Sequence, residues 1–142
     1  MLGVKKYSSP YLNECRKKVN SDISRYRKII EIIDNQSERN SSDLINFEHS
    51  FFNNMIILLD SFFVHRLRGI EGKDGNPLNE VRAIANSIAG NQGIMMKDST
   101  IRLKPQHSLL KYDLGDEIKV SESQFALISK AFFSEIERKY TR

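Results

Sequence analysis

The 142-residue chain has one cysteine, no tryptophan and three prolines. Because Cys15 stands alone, no disulfide can form within the chain, and a zinc site built on several thiolates is excluded. The densest apolar run, residues 55–59, ends at Asp60 and is far shorter than the roughly 20 residues that a membrane-spanning helix needs. The first ten residues contain lysines but no apolar stretch after them, so they do not have the pattern of a secretory signal. These features favour a cytoplasmic protein that does not enter a membrane.

Familiar catalytic and cofactor motifs are also missing from the sequence. The glycines of residues 69–75 do not have P-loop spacing, and neither an HExxH motif nor a Glu-x-x-His pair occurs. Cys15 lies on an apolar helix face, where a thiol behaves as a small hydrophobic group rather than as a nucleophile. The sequence therefore predicts no cofactor and no bound metal ion, and whether the protein is an enzyme stays open.

The composition is that of one globular domain spanning residues 1–142, with 39% hydrophobic and 28% charged residues. The net charge of +4 is unevenly distributed, because residues 1–30 contain eight basic and two acidic residues. That gives +6 in this segment and −2 in the rest of the chain. A solvated helix face explains the basic segment most simply, and contact with nucleic acid is the weaker alternative.

Hydrophobic periodicity predicts four helices, at about residues 10–34, 43–70, 77–89 and 122–140. The first has Ser9 and Pro10 at its start and a heptad-spaced stripe that resembles a short coiled coil. The second has an apolar arc of about 200° and must be packed on both flanks. Between the third and fourth helices, the spacing of hydrophobic residues changes in residues 93–120, and the new pattern predicts short strands. The expected fold class is mainly α: a four-helix bundle-like core with a long N-terminal helical hairpin and a small antiparallel β-element between helices 3 and 4.

One stretch, residues 62–82, concentrates polar side chains around Gly72, Gly75 and Pro77. We call it the polar corner. If the second helix continues to about residue 70, His65 and Arg66 lie within its apolar arc and point inward, where charges need partners. The candidate residues, functional or structural, are His65, Arg66, Arg68, Glu71, Lys73, Asp74, Asn76, Asn79, Glu80 and Arg82.

The polar corner has three interpretations. In a structural one, arginines pair with Glu71, Asp74 and Glu80, and asparagines satisfy the turn backbone. In a catalytic or anion-binding one, His65 and a carboxylate form an acid–base pair while arginines hold an anionic substrate. A metal bound by His65 and carboxylates is a third possibility. A corner that is filled and fully hydrogen-bonded would argue against the catalytic interpretation.

The run LDSFFVHRLRGIEGKDGNPLNEVR, residues 59–82, resembles a family of small bacterial helical proteins of unknown function that share the EGKDGNPLNEVR-type segment. Residues 115–137, GDEIKVSESQFALISKAFFSEIE, are similar to the end of the same family. The resemblance implies a bacterial source and a common fold, and it supplies no activity or site residue.

Function is therefore expected from architecture rather than from a motif. Two helices of more than about 20 residues in so short a chain favour a homodimer built by their apolar stripes. The leading expectation is a non-catalytic cytosolic binding or assembly protein. The alternatives are an enzyme or small-anion binder that uses the polar corner, and a nucleic-acid accessory protein that uses the basic face of the first helix.

Overall fold

The computed structural model describes residues 3–35 and 42–141. Its helices are α1 (Ser9–Asn35), α2 (Ser42–Ser61), α3 (Arg68–Glu71), α4 (Pro77–Gly90) and α5 (Glu122–Tyr140), with a 3-10 turn at Pro105–His107. The mainly α class is thereby confirmed. In the described ranges, none of the helices combines the length and the hydropathy that crossing a bilayer would require.

The core lies where α2, α4 and α5 meet. Each helix contributes one fully covered apolar stripe at helical spacing, and burial of each such side chain stabilises the fold by about 1.5–3 kcal/mol. The stripes consist of Phe52, Ile56 and Leu59 from α2, Leu78, Val81 and Ile84 from α4, and Phe125, Ile128, Phe132 and Ile136 from α5.

Helix α1 packs on this core through the predicted heptad stripe, of which Leu12, Val19 and Tyr26 are buried together with Cys15. The ring of Tyr26 lies 5.3 Å from the ring of Phe51 and 4.8 Å from that of Phe52 on α2. Salt bridges Arg27–Glu122 and Arg16–Glu137 join the opposite flank of α1 to α5. The helix is therefore held from both sides.

The predicted starts of the later helices are correct. Asn76 caps α4, because its side-chain oxygen accepts from the backbone N–H groups of Leu78 and Asn79, and Pro77 follows it. Ser121 and Gln124 form the capping box that begins α5.

Helix α2 ends at Ser61, about nine residues before the predicted end, so that prediction was wrong. Residues 62–65 form a turn. The backbone of the N-terminal segment forms hydrogen bonds with backbone groups that a longer α2 would have bonded within the helix. The N–H of Val4 donates to the carbonyl of His65 at 2.8 Å, and the N–H of Leu67 donates to the carbonyl of Val4 at 2.8 Å. These partners lie about 60 residues apart, so local periodicity does not reveal them.

The predicted β-element between α4 and α5 is also wrong. Within the described residues, only isolated bridges form, Ile94 with Glu117 and Val4 with Arg66. The segment that joins α4 to α5, residues 91–121, is called the connecting segment. Residues 93–95 and 115–118 of this segment share three backbone hydrogen bonds, and side chains of the helices bond further backbone groups. Asn53 bonds the carbonyl of Ile118 and the N–H of Val120, and the hydroxyl of Ser87 accepts from the N–H of Met96.

Candidate functional site

The polar corner is organised around the carboxylate of Glu71, which is completely buried at the end of α3. One carboxylate oxygen accepts from Arg66 and from Arg68, each at 2.8 Å. The other accepts from Arg82 at 2.8 Å and from the amide of Asn79 at 2.5 Å. Three guanidinium groups therefore share one carboxylate, and each bond is charge-assisted.

The guanidinium of Arg66 is buried with Glu71 and is satisfied by several other groups. It donates to the carboxylate of Asp60 at 3.2 Å and to the carbonyls of Phe63 at 3.1 Å and Leu78 at 3.4 Å. Its central carbon lies 5.7 Å from the centre of the Phe132 ring, within the range of a cation–π contact. The prediction that Arg66 faces inward is confirmed.

Two asparagines fix the turn between α3 and α4. The side-chain oxygen of Asn79 accepts from the N–H of Gly75, and its amide donates to the carbonyl of Gly72. The amide of Asn76 donates to the carbonyl of Glu71 and to the carboxylate of Asp74. The backbone of the turn is thereby held against the buried carboxylate.

His65 is exposed, which corrects the expectation that it points inward. The early end of α2 is the physical reason, because the turn at residues 62–65 rotates His65 away from the face that Arg66 keeps. In the part of the chain that the structure describes, neither Glu71 nor Asp74 is a hydrogen-bond partner of His65. The acid–base pair and the metal site, which were the two alternative interpretations of His65, are therefore not assembled among the described residues.

The remaining candidates divide between the corner and its edges. Lys73 and Asp74 are exposed on the turn. Glu80 is buried but faces the connecting segment, where its two oxygens accept from the N–H groups of Leu109 and Leu110, each at 2.8 Å. The structure thus brings Arg66, Arg68, Glu71, Asn76, Asn79 and Arg82 into one network, to which Asp74 is joined through Asn76, and leaves His65, Lys73 and Glu80 outside it.

The pKa values of the two buried glutamates, Glu71 and Glu80, are shifted in opposite directions. Burial alone would raise the pKa of Glu71, but the charge of Arg66 and the hydrogen bonds from Arg82 and Arg68 outweigh it and lower the pKa below 4.5. Burial raises the pKa of Glu80, and its two backbone hydrogen bonds compensate only in part. Glu71 is thus held as an anion, whereas ionisation of Glu80 costs free energy.

Sequence reasoning missed three members of the network. Asp60 pairs with Arg66, Asp98 accepts from Arg82 at 3.0 Å, and the ammonium of Lys139 donates to the carbonyl of Glu71 at 2.8 Å. Asp60 lies in the polar strip of α2 only six residues from Arg66, which is the one signal that could have indicated it. Lys139 and Asp98 come from distant segments.

With Asp60 and Asp98 included, three carboxylates face the three guanidiniums of the network, while Lys139 pairs with Glu135. Among the described residues, every buried side-chain nitrogen and oxygen has a hydrogen-bond partner. The buried network around Glu71 therefore offers an incoming substrate no unsatisfied side-chain polar atom.

Open space lies beside the corner, in a groove of about 710 Å³ between α4 and the connecting segment. Ala83, Met95 and Ile101 form its floor, and Arg102 and Lys104 stand on its edge. We call it the connecting-segment groove. Within residues 3–35 and 42–141, no cluster of three or more His, Cys, Asp or Glu side chains could hold a metal ion.

Comparisons with protein-family models, curated proteins and solved structures find no match for this chain. The resemblance of residues 59–82 to a bacterial family therefore stays a prediction. Function has to be argued from the geometry of the molecule.

Proposed function

We propose that the protein is a non-catalytic, cytosolic binding or assembly protein that self-associates through its two long N-terminal helices. The observation that carries this proposal is a set of large apolar side chains left open to solvent where α1 ends and α2 begins. Ile29 and Ile32 of α1 are 50% and 58% exposed, and Ile45 and Phe47 of α2 are 47% and 52% exposed. We call these four residues the hairpin-end surface.

The position of the hairpin-end surface supports an interface between copies of the chain. All four residues lie within two helical turns of Asn35 or Ser42, beyond the part of α1 and α2 that packs on α5. Ile45 falls on the same side of α2 as the buried Phe52 and Ile56, so the core-facing stripe continues past the point where the core ends. Phe47 lies about 200° further round α2, next to the ring of Phe51, so the exposed apolar residues face more than one side of the helix. Apolar surface left open in this way is typical of association sites.

The polar corner supports the non-catalytic part of the proposal. The charges of Arg66, Glu71 and Arg82 are engaged with one another, and the exposed imidazole of His65 stands apart from the network. The corner acts in this proposal as a structural clamp between α2, α3, α4 and the connecting segment.

The basic face of α1 supports assembly over nucleic-acid binding. Arg16 and Arg27 pair with glutamates of α5, Lys17 pairs with Glu14, and Lys18 and Arg25 share Asp22. Although exposed pairs of this kind contribute little to stability, they reduce the positive charge that a phosphate backbone would meet.

Analytical ultracentrifugation over a wide range of protein concentrations tests the proposal. We expect the wild-type mass to rise from monomer to dimer, and the double variant Ile32→Asp, Phe47→Asp to remain monomeric. Leu127→Asp is the matched control, because Leu127 is 51% exposed on α5 away from the hairpin end and its variant should dimerise like the wild type.

A wild-type protein that stays monomeric at the highest concentration would refute self-association. So would loss of the dimer in Leu127→Asp but not in the double variant. Salt-sensitive binding of a DNA or RNA oligonucleotide that disappears in Lys17→Glu, Lys28→Glu, without any dimer, would instead favour the nucleic-acid alternative.

A further inference from the structure

We propose that the connecting-segment groove binds a small anionic amphiphile, a molecule with one carboxylate and an unbranched or flat apolar body. This ligand site goes beyond the proposed self-association and uses other residues. Its volume of about 710 Å³ lies within the usual range for small-molecule sites, roughly 300–1,000 Å³.

The floor and walls of the groove suit the apolar part of such a ligand. Ala83, Met95 and Ile101 are buried at its base, whereas Met96 and Leu114 are exposed along its sides at 37% and 62%. Thioether side chains are flexible and polarisable, so the two methionines can adapt to apolar chains of different shape. Covering Met96 and Leu114 with a ligand would remove apolar surface from water.

The edge of the groove suits the anionic end. Lys97, Arg102 and Lys104 line it, and none of them forms an ion pair with another described residue. Asp98 lies on the same edge but is already held by Arg82 at 3.0 Å and by the N–H and hydroxyl of Thr100 at 2.8 and 2.6 Å. Asp113 is the other carboxylate of the lining. An excess of positive charge therefore remains, and an arginine binds a carboxylate with two parallel bonds.

The polar corner fixes the position of this cationic edge. The N–H of Arg102 donates to the carbonyl of Lys73 at 2.9 Å, and Gly75 packs so closely that a Cβ added there would lie 2.6 Å from the Arg102 carbonyl oxygen. Arg82 holds Asp98 from the other side. The edge is thus preorganised by contacts to a buried network, which lowers the entropy cost of binding.

A small molecule fits these observations better than a protein segment. Arg102 and Lys104 line both the groove and a smaller pocket next to it, so two cations are available to a single ligand. An extended peptide needs a row of free backbone groups to pair with, whereas the backbone of this segment is bonded to Glu80, Ser87 and Lys73.

Isothermal titration calorimetry with dodecanoate, kept below its micelle concentration, tests the site on the full chain. We expect saturable binding with one site per chain, and much weaker binding of the uncharged 1-dodecanol. The double variant Arg102→Gln, Lys104→Gln should bind dodecanoate about tenfold or more weakly, because hydrogen bonds to charged groups are lost. Its matched control is Lys111→Gln, Lys119→Gln, which makes the same charge change on the same segment outside the groove and should stay within about twofold of wild type.

A second pair of variants tests the apolar wall. Leu114→Asp should weaken dodecanoate binding about tenfold, and Leu127→Asp should not, while circular dichroism confirms that all variants are folded. The proposal is overturned if dodecanoate does not bind, if 1-dodecanol binds equally well, or if the Arg102/Lys104 variant matches its control. It is also overturned if dodecanoate does not bind and Leu114→Asp changes the sedimentation of the protein, because the groove would then be a contact between copies of the chain.

Discussion

At the scale of single residues, the stability of the corner depends on Glu71, because its one negative charge is shared by Arg66, Arg68 and Arg82. We expect Glu71→Gln to lower the free energy of unfolding by about 3–5 kcal/mol, the usual cost of removing one partner of a buried ion pair. Urea denaturation measures it. Glu137→Gln is the control, because Glu137 pairs with Arg16 in an exposed salt bridge and its loss should cost less than about 1 kcal/mol. Equal effects of the two variants would contradict the role given to Glu71.

The pKa of Glu71 makes stability depend on pH. The pKa in the folded protein is below the ordinary value of 4.5, so the unfolded chain binds the proton more tightly. The stabilisation is present above pH 4.5 and is lost as the pH falls through the folded pKa. We expect the stability of the wild type to fall steeply below pH 4.5 and the stability of Glu71→Gln to change less with pH. Thermal unfolding between neutral and acidic pH measures both, and parallel profiles would contradict this assignment.

The protonation of Glu80 changes stability with pH in the opposite direction. Its pKa is raised by burial, so the folded protein holds that proton more tightly than the unfolded chain does, and stability from this group falls as the pH rises above 4.5. It therefore cannot be the source of acid destabilisation. The pH dependence of stability therefore distinguishes Glu71 from Glu80.

The sequence reveals individual residues of the corner only where a local rule applies. The apolar surroundings of Arg66 indicated burial and a need for counter-charges, and Asn76 before Pro77 indicated a helix cap. His65 was misplaced because its direction depends on where α2 ends. Lys139 and Asp98 reach the corner through tertiary contacts that no spacing along the chain encodes.

At the scale of elements, periodicity and caps locate α1, α4 and α5 well, since these helices have their start signals and apolar stripes in consecutive residues. The connecting segment was misjudged because short apolar runs fit a strand as well as an irregular segment. Its backbone groups are satisfied by Asn53, Glu80 and Ser87, which belong to two different helices.

The turn between α3 and α4 is the element that positions the connecting segment. Gly75 has φ +88°, and the carbonyl oxygen of Arg102 leaves no room for a Cβ. We expect Gly75→Ala to destabilise the protein by about 1–3 kcal/mol and to speed hydrogen exchange of the Arg102 amide. Gly69→Ala is the matched control, because Gly69 lies in α3 with no neighbouring atom within 4 Å of an added Cβ. Unchanged exchange at Arg102 in Gly75→Ala would show that the contact does not hold the segment.

At the scale of the whole molecule, the internally bonded polar corner is distinct from two incompletely covered apolar regions. The hairpin-end surface and the connecting-segment groove lie on different elements, so self-association and ligand binding can be tested independently. The sequence predicted a homodimer through the apolar stripes, but the core buries Leu12, Val19 and Tyr26 of the α1 stripe, and the exposed Ile29 and Ile32 lie outside it. The groove could not be foreseen, because it exists only where the connecting segment is tied back to α4.

The N–H of Tyr7 donates to the carbonyl of Tyr140 at 2.6 Å, and the phenol of Tyr140 donates to the carbonyl of Leu67. The backbone before α1 and the backbone at the end of α5 therefore lie side by side, so these two parts of the chain are close together in space. The packing of the helices therefore does not depend on the order in which the chain connects them. A circularly permuted chain that joins these two points and opens at the exposed turn of Gly115 would keep every helix and the whole polar corner intact.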